Sequence, residues 1–255
     1  MMLDTLKISF QTLRQTQKKG LIVLLDPDAT DRTSFPFLLE LCQKNQIFAF
    51  LIGGSHLIAD DTQWLLQHIK PTGIPTLIFP HSSVHLQAGA DGFLLLSLLS
   101  GRNPDYLIGH QVTIAPFLKK SEMEVLSTSY ILVGDDHHTT AAYMSQTQPI
   151  PSTKPKIVTS TALAGELMGH HLTYLDAGSG AQQPVPGEAI RMVREQVSLP
   201  LLVGGGLNSP IKIFNALQHG ADAVVIGNAI EQNPSFLGEA AEVIRQFNLK
   251  KYWAN

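Results

Sequence analysis

A carboxylate next to a glycine-rich loop is the combination in this sequence that is best suited to chemistry. Asp176 follows the apolar run 172–175 and precedes Ala-Gly-Ser-Gly-Ala, a stretch with almost no side chains. Backbone N–H groups in such a loop approach a ligand closely because no Cβ atom stands in the way. The pattern indicates that Asp176 accepts a proton from a ligand hydroxyl as a general base. The alternative is an Asx turn that shapes the loop.

Two more glycine-rich segments follow apolar runs near the end of the chain. The triplet GGG (204–206) follows one run, and the pair GN (227–228) follows the next. A glycine triplet alone is as typical of a tight turn as of a ligand site. Two such segments, each placed before a helical pattern, favour a phosphate cradle built from backbone N–H groups and the positive ends of helices. The sequence therefore predicts a ligand that carries a phosphate.

A second acidic centre lies early in the chain. The segment DPD (26–28) follows the run 21–25, and GGS (53–55) follows the run 47–52. A carboxylate and a hydroxyl are hard oxygen ligands, which suit Mg²⁺. The alternative is that the two acids cap the next helix. A metal centre opposite the cradle would imply two phosphorylated substrates or one bisphosphate.

The elements that must position these groups are eight apolar runs. They are continuous rather than alternating, which is typical of parallel strands covered by helices. The runs are 21–25, 47–52, 75–79, 92–96, 130–133, 172–175, 200–203 and 223–226. Eight strand–helix units in about 250 residues predict an α/β fold of the (β/α)8 TIM-barrel type, with a doubly wound open sheet as the alternative.

We expect one barrel domain over residues 1–255 that begins with a short amphipathic N-terminal helix. The segment after the third strand (80–90) is too short for a confident helix, and 135–155 has the pattern of a long loop with at most one helical turn. Active sites of such barrels lie where strands end. The acidic and glycine-rich clusters all follow strands, so we expect them at one rim.

Composition excludes several classes of function. A net charge of −3 gives no general attraction to nucleic acid, and no apolar run is long enough to span a membrane, so we expect a cytoplasmic protein. The single cysteine, Cys42, is expected in the core. The histidine pairs 137–138 and 170–171 lack the i, i+4 spacing of a zinc site. No Gly-x-x-x-x-Gly-Lys motif supports nucleotide hydrolysis.

Six segments together resemble the geranylgeranylglyceryl phosphate synthase family, which includes the bacterial heptaprenylglyceryl phosphate synthases. They are "LLDPD", "FLIGGS", "LSLLSGRNPDYLIGHQV", "YLDAGSGA", "VGGGL" and "ADAVVIGNAIE", in order over residues 21–231. The resemblance implies a TIM-barrel prenyltransferase that uses Mg²⁺ to join sn-glycerol 1-phosphate to a polyprenyl diphosphate in lipid synthesis. It also implies a homo-oligomer, either a dimer or a hexamer. The "GRNP" block is more similar to the enzymes that use a C20 chain than to the heptaprenyl branch.

The resemblance also implies roles for individual residues. Mg²⁺ would bind Asp26 and Ser55, and Asp176 and Tyr174 would act on the attacking hydroxyl. An apolar groove would hold the prenyl chain. The residues implied for sn-glycerol 1-phosphate are Tyr174, Leu175, Asp176, Ala177, Gly178, Ser179, Gly180, Gly205, Gly206, Gly227 and Asn228.

The sequence departs from the family pattern at two places near the expected diphosphate. Ala29 follows DPD where many members have a basic residue, and "FPHSSVHLQ" (79–87) replaces the usual segment after the third strand. Arg102 either compensates for these changes or is a structural ion-pair residue. Two other functions remain open: a phosphosugar isomerase or lyase that uses the acids of "VGDDHH" (133–138), and a non-catalytic phosphate binder.

Overall fold

Eight parallel strands form a closed barrel in which each strand pairs with the next and β8 pairs with β1. The computed structural model describes residues 5–54, 61–80, 87–135 and 139–250. The strands are β1 (Gly20–Leu25), β2 (Ala49–Ile52), β3 (Thr76–Ile78), β4 (Gly92–Leu98), β5 (Glu124–Leu132), β6 (Leu172–Asp176), β7 (Leu201–Gly204) and β8 (Ala223–Ile226). This topology confirms the predicted barrel and excludes the open sheet.

Helices alternate with the strands around most of the barrel. They are α1 (Thr5–Thr16), α2 (Phe35–Lys44), α3 (Thr62–Ile69), α4 (His110–Lys120), α5 (Thr140–Ser145), α6 (Pro155–Leu167), α7 (Gly187–Gln196), α8 (Pro210–Gln218), α9 (Asn228–Gln232) and α10 (Phe236–Lys250). A π-helical turn, Asp105–Gly109, precedes α4. Between β3 and β4 the described residues, 79–80 and 87–91, contain no helix. The rest of the segment predicted to be irregular lies outside the described part. None of the described helices is long and apolar enough to cross a membrane.

The start of strand five was predicted six residues too late. The strand begins at Glu124 rather than at Tyr130, and it passes through the polar stretch Ser127-Thr128-Ser129. Thr128 and Ser129 are fully buried, but the hydroxyl of Thr128 donates to a backbone carbonyl at 2.9 Å and that of Ser129 lies 2.8 Å from His170 Nδ1. A buried strand tolerates these hydroxyls because they are hydrogen-bonded. A search for apolar runs alone therefore misses this first part of the strand.

Helix α1 closes the amino-terminal end of the barrel. Its apolar side chains, Leu6, Phe10 and Leu13, belong to the cluster that fills the barrel interior. The backbone N–H groups of Leu6 and Lys7, in its first turn, each donate to the Glu124 carboxylate at 2.7 Å, at the start of β5. Among the described residues, α1 fills this end of the barrel, and the barrel opens where the strands end.

A second apolar cluster lies between the strands and the surrounding helices, and Cys42 belongs to it. The thiol has no exposed surface, and burial raises its pKa to about 12. Cys42 is therefore a core residue, as predicted.

Candidate active site

A polar cavity of about 330 Å³ opens at the carboxyl ends of the strands. Most of the residues predicted for the site line it: Asp26, Tyr174, Asp176, Gly178, Ser179, Gly180, Gly205, Gly206, Gly227 and Asn228. Leu175 and Ala177 do not; their side chains belong to the cluster that faces the helices. Their predicted contact with a ligand would therefore have to use backbone atoms. Ser55 lies outside the described residues.

The loops after β6 and β7 interlock through close backbone contact. Gly205 has a φ of +77°, and a Cβ atom there would lie 2.6 Å from Asp176 Oδ1 and 2.7 Å from the backbone nitrogen of Ala177. Only glycine fits this position, for reasons of both conformation and space. The glycine triplet is thus part of a cradle shared between two strands.

Polar side chains bind the loops of this cradle together. The Ser179 hydroxyl donates to Asn228 Oδ1 at 3.3 Å, joining the β6 loop to α9. Lys212 Nζ, on α8, donates to the Gln182 carbonyl and to Asn208 Oδ1, each at 2.9 Å. Lys212 therefore braces two of the loops from outside the cavity.

Asp176 is the last residue of β6 and is buried. Its Oδ2 accepts a hydrogen bond from Tyr130 Oη at 2.6 Å, and its Oδ1 accepts one from the Gly178 N–H at 2.8 Å. Burial raises the pKa of Asp176, and these two hydrogen bonds offset part of the increase. The Gly178 bond is the Asx turn considered above, and the same carboxylate lines the cavity. Asp176 therefore shapes the loop and also faces the cavity.

Tyr130 is a site residue that the sequence did not predict. It pairs in register with Tyr174 on the neighbouring strand, and the two rings lie 5.4 Å apart. The late start predicted for strand five placed Tyr130 at the strand's amino end, far from the rim. Burial, followed by the nearby charge of Asp176, raises the pKa of both tyrosines. Both phenols stay protonated at neutral pH, so they act as donors and not as bases.

The second acidic centre contains a pair of carboxylates from opposite ends of the chain. The Asp26 N–H donates to Glu231 Oε1 at 3.0 Å, and both residues line the cavity. Gly54 lies against the Asp26 carboxylate, since a Cβ there would be 2.5 Å from Oδ2. Burial raises the pKa of Asp26 and of Glu231. Glu231, in α9, was not predicted from the sequence.

These oxygen donors fit a magnesium ion that takes one or two ligands from the protein and the others from water and substrate. In the described part of the chain, no group of three or more His, Cys, Asp or Glu side chains forms a complete metal site. Mg²⁺ in phosphate chemistry commonly binds one or two carboxylates and completes its shell with waters and phosphate oxygens. Asp26 suits that mode of binding.

Several other predicted residues lie away from the cavity. Arg102 Nη1 donates to the carbonyls of Leu99 and Gly101, so it stabilises the turn after β4. Asp135, after β5, accepts hydrogen bonds from Ser152 and lines a separate pocket beside α8. The pair 170–171 contacts strand-five serines, and the pair 137–138 lies outside the described residues.

An apolar groove runs beside the polar cavity. It is lined by Gly54, Phe79, Pro80, Leu95, Leu96, Leu98, Tyr106, His110, Gln111, Ile114, Tyr130, Ala141, Met144 and Ser145. Three residues, Gly54, Phe79 and Tyr130, line both the groove and the cavity. The apolar groove and the polar cavity therefore adjoin at these three residues.

Similarity to known proteins decides the family. The PcrB family profile matches residues 13–247. This chain is a member of the PcrB family. It is 44% identical over 232 residues to a geranylgeranylglyceryl phosphate synthase of Spirosoma linguale, covering 91% of this chain and 93% of that protein. A protein of the same name from Chitinophaga pinensis is 40% identical, with coverage of 89% and 90%.

A solved structure extends the similarity to three dimensions. The geranylgeranylglyceryl phosphate synthase of Thermoplasma acidophilum, in complex with its substrate sn-glycerol 1-phosphate, aligns with a TM-score of 0.88 at 27% identity. The alignment covers 97% of this PcrB-family chain and 99% of that one. The barrel fold is therefore shared over almost the whole chain.

Proposed function

We propose that this protein is a prenyltransferase that joins sn-glycerol 1-phosphate to geranylgeranyl diphosphate through an ether bond and releases diphosphate. The observation that carries the proposal is a glycine-rich polar cavity that meets an apolar groove at a shared junction. The relatives named above support it, because they bear the name of this activity and one of them binds sn-glycerol 1-phosphate.

In the proposed reaction the cradle holds the phosphate of the glycerol substrate. The residues are Tyr174 through Gly180, Gly205, Gly206, Gly227 and Asn228. Asp176 accepts the proton of the glycerol hydroxyl, and Tyr174 orients that hydroxyl. The bond from the allylic carbon to the diphosphate breaks, and its electron pair leaves with the diphosphate. The hydroxyl oxygen then forms the ether bond to that carbon. A positioned base typically contributes about 10²–10⁴-fold to such a step.

The charge of the cavity favours a divalent cation. Three carboxylates, Asp26, Asp176 and Glu231, line it, whereas no Lys or Arg does so among the described residues. Two phosphorylated substrates would meet strong repulsion there without a cation. We infer that Asp26 and Ser55 hold Mg²⁺, which would offset charge on the departing diphosphate.

The apolar groove is the proposed site of the prenyl chain. Burying a C20 chain contributes on the order of 10 kcal/mol gross, at about 0.8 kcal/mol per methylene. A C20 preference follows the similarity of the "GRNP" block, and a heptaprenyl-specific homologue is the alternative. An isomerase or lyase is not favoured: of its two strand-five acids, Asp135 binds Ser152 rather than facing the cavity, and Asp136 lies outside the described residues.

A cytoplasmic homo-oligomer, either a dimer or a hexamer, completes the proposal. Several large apolar side chains on α5 and α6 are exposed, among them Tyr143 at 79%, Ile157 at 52% and Leu167 at 81%. Extended apolar surface is uncommon on monomers and often marks an interface. Light scattering coupled to gel filtration measures the assembly directly, and a monomeric mass would contradict this part.

The test is incubation with sn-glycerol 1-phosphate and labelled geranylgeranyl diphosphate, with Mg²⁺ and with EDTA. We expect a labelled ether only in the presence of Mg²⁺, and less product with the sn-glycerol 3-phosphate enantiomer. Heptaprenyl diphosphate as a competing donor tests chain length. No transfer to either glycerol phosphate from either donor would overturn the proposal.

A further inference from the structure

Phe79 and Tyr130 form an aromatic pair at the junction of the groove and the cavity. Phe79 follows β3 and Tyr130 belongs to β5, so the barrel brings them together from different strands. Their ring centroids lie 5.7 Å apart with an interplanar angle of 82°, and each residue is only 8% exposed. We call these two residues the junction pair.

The junction is where the reacting carbon of a prenyl diphosphate must lie. Its diphosphate belongs in the polar cavity, next to Asp26, and its chain belongs in the apolar groove. The allylic carbon connects the two parts, and both spaces share the junction pair as lining. When the bond to the diphosphate breaks, positive charge develops on this carbon.

We propose that the rings of Phe79 and Tyr130 stabilise the positive charge that develops on the allylic carbon. This inference rests on the proposed prenyl transfer. The face of an aromatic ring carries negative charge density and attracts a cation, most strongly where water is excluded. Tyr130 adds to the effect, because its hydroxyl donates to the Asp176 carboxylate and its ring becomes more electron-rich.

The bond changes are those of the transfer itself. The allylic C–O bond breaks and its electron pair leaves with the diphosphate. The glycerol oxygen forms the ether bond, and its proton passes to Asp176. The rings form no bond and exchange no proton; they lower the energy of the charged state between the two events.

Stepwise fluorination of Phe79 isolates this effect from shape. One, two or three ring fluorines, introduced as non-natural phenylalanines, drain charge from the ring face and change its size little. We expect kcat to fall with each fluorine, by about 30-fold in total. A desolvated contact of this kind is worth about 2 kcal/mol, at 1.36 kcal/mol per tenfold in rate. The KM for either substrate should stay within about twofold, because the free substrates carry no positive charge at that carbon.

Phe10 is the matched control for this series. It is 1% exposed and meets Phe48 edge to face at 5.0 Å, but it lines neither the groove nor the cavity. The same three fluorinated residues at Phe10 should leave kcat unchanged. Equal kcat across the Phe79 series, with the unmodified protein active, would overturn the inference and leave the proposed prenyl transfer standing.

A binding measurement tests the junction pair without turnover. Calorimetry compares a long-chain prenyl ammonium ion with the neutral prenyl alcohol, in the presence of diphosphate and Mg²⁺. We expect the Phe79→Leu variant to lose about tenfold or more in affinity for the ammonium ion and little for the alcohol. If the unmodified protein makes no ether, prenyl transfer is refuted. A Phe79→Leu variant that still binds the ammonium ion in preference to the alcohol would refute the aromatic role.

Discussion

Replacing Asp176 by asparagine separates the base from the shape of the loop. The amide oxygen of asparagine can accept the hydrogen bond from the Gly178 N–H that Oδ1 accepts now at 2.8 Å. Its NH₂ group can donate to Tyr130 Oη, which then acts as the acceptor and not as the 2.6 Å donor. Both hydrogen bonds of residue 176 are thus retained, with the Tyr130 hydroxyl accepting instead of donating, while the charge and the basic oxygen are lost.

The expected cost in rate is at least about a hundredfold in kcat, because positioned bases contribute about 10²–10⁴-fold. That factor corresponds to about 2.7 kcal/mol of the barrier. Affinity for glycerol phosphate should change little, because backbone groups of the cradle bind the phosphate. The assay is single-turnover ether formation at saturating substrates, with calorimetry for glycerol phosphate binding.

Thermal unfolding of Asp176→Asn gives an independent readout. Burial raises the pKa of Asp176 in the folded protein, so the ionised carboxylate opposes folding at neutral pH. Removing the charge should leave the melting temperature at pH 7 equal to or above that of the unmodified protein. The advantage should vanish as the pH falls towards the carboxyl's unfolded pKa, where Asp176 itself is protonated. A destabilised variant would show that the hydrogen-bond exchange described above does not occur.

The result that refutes the role of Asp176 as a base is a loss of less than about fivefold in kcat with the fold intact. Asp176 would then only shape the loop through Gly178. Tyr130→Phe provides a further test, because it removes a hydrogen bond that lowers the pKa of Asp176. If the ionised carboxylate is required, the acidic limb of the rate profile should move to higher pH in this variant.

Three further predictions concern the metal, the cradle and the core. Asp26→Asn should lower turnover by about a hundredfold, since metal stabilisation is worth several kcal/mol. Calorimetry should show unchanged binding of glycerol phosphate. A Mg²⁺ titration of activity that the substitution does not alter would contradict the metal role. Gly205→Ala should raise the KM for glycerol phosphate by about tenfold or more, equivalent to about 1.4 kcal/mol of lost binding, and leave the prenyl KM unchanged. The control is Gly238→Ala, because a Cβ at Gly238 meets nothing within 4 Å, and it should leave both KM values unchanged. An equal rise in both KM values for Gly205→Ala would argue against the cradle. Cys42, with its pKa raised to about 12, should react with a thiol reagent at pH 8 only after denaturation, and rapid labelling of the native protein would show that the core opens.

The order of the glycine and acid segments was enough to predict the barrel and most of its rim. The carboxyl ends of parallel strands meet on one side, so residues as distant in sequence as Asp26 and Asn228 are predicted to surround one cavity by their positions at strand ends. The cradle is also a local property, since its groups are backbone N–H groups and glycine is the residue that exposes them.

The partners of the acids could not be predicted in this way. Tyr130 and Asp176 are 46 positions apart, and Asp26 and Glu231 are 205 apart. Their contacts depend on strand register and on which face each side chain points to, and a shift of one residue would turn Tyr130 out of the barrel. The polar stretch before Tyr130 hid the true start of the strand, and this displaced the residue from the predicted rim.

The sequence alone therefore determined the barrel, the rim that carries the site and the carboxylate beside the glycine loop, because these depend on local pattern and on the direction of parallel strands. Only the tertiary structure decided that Tyr130 holds Asp176, that Arg102 stabilises a turn, and that Phe79 stands between the groove and the cavity. The Tyr130–Asp176 contact depends on the pairing of β5 with β6, and Phe79 reaches Tyr130 from the end of β3, two strands away around the barrel. No pattern along one strand specifies the side chains that neighbouring strands bring next to it.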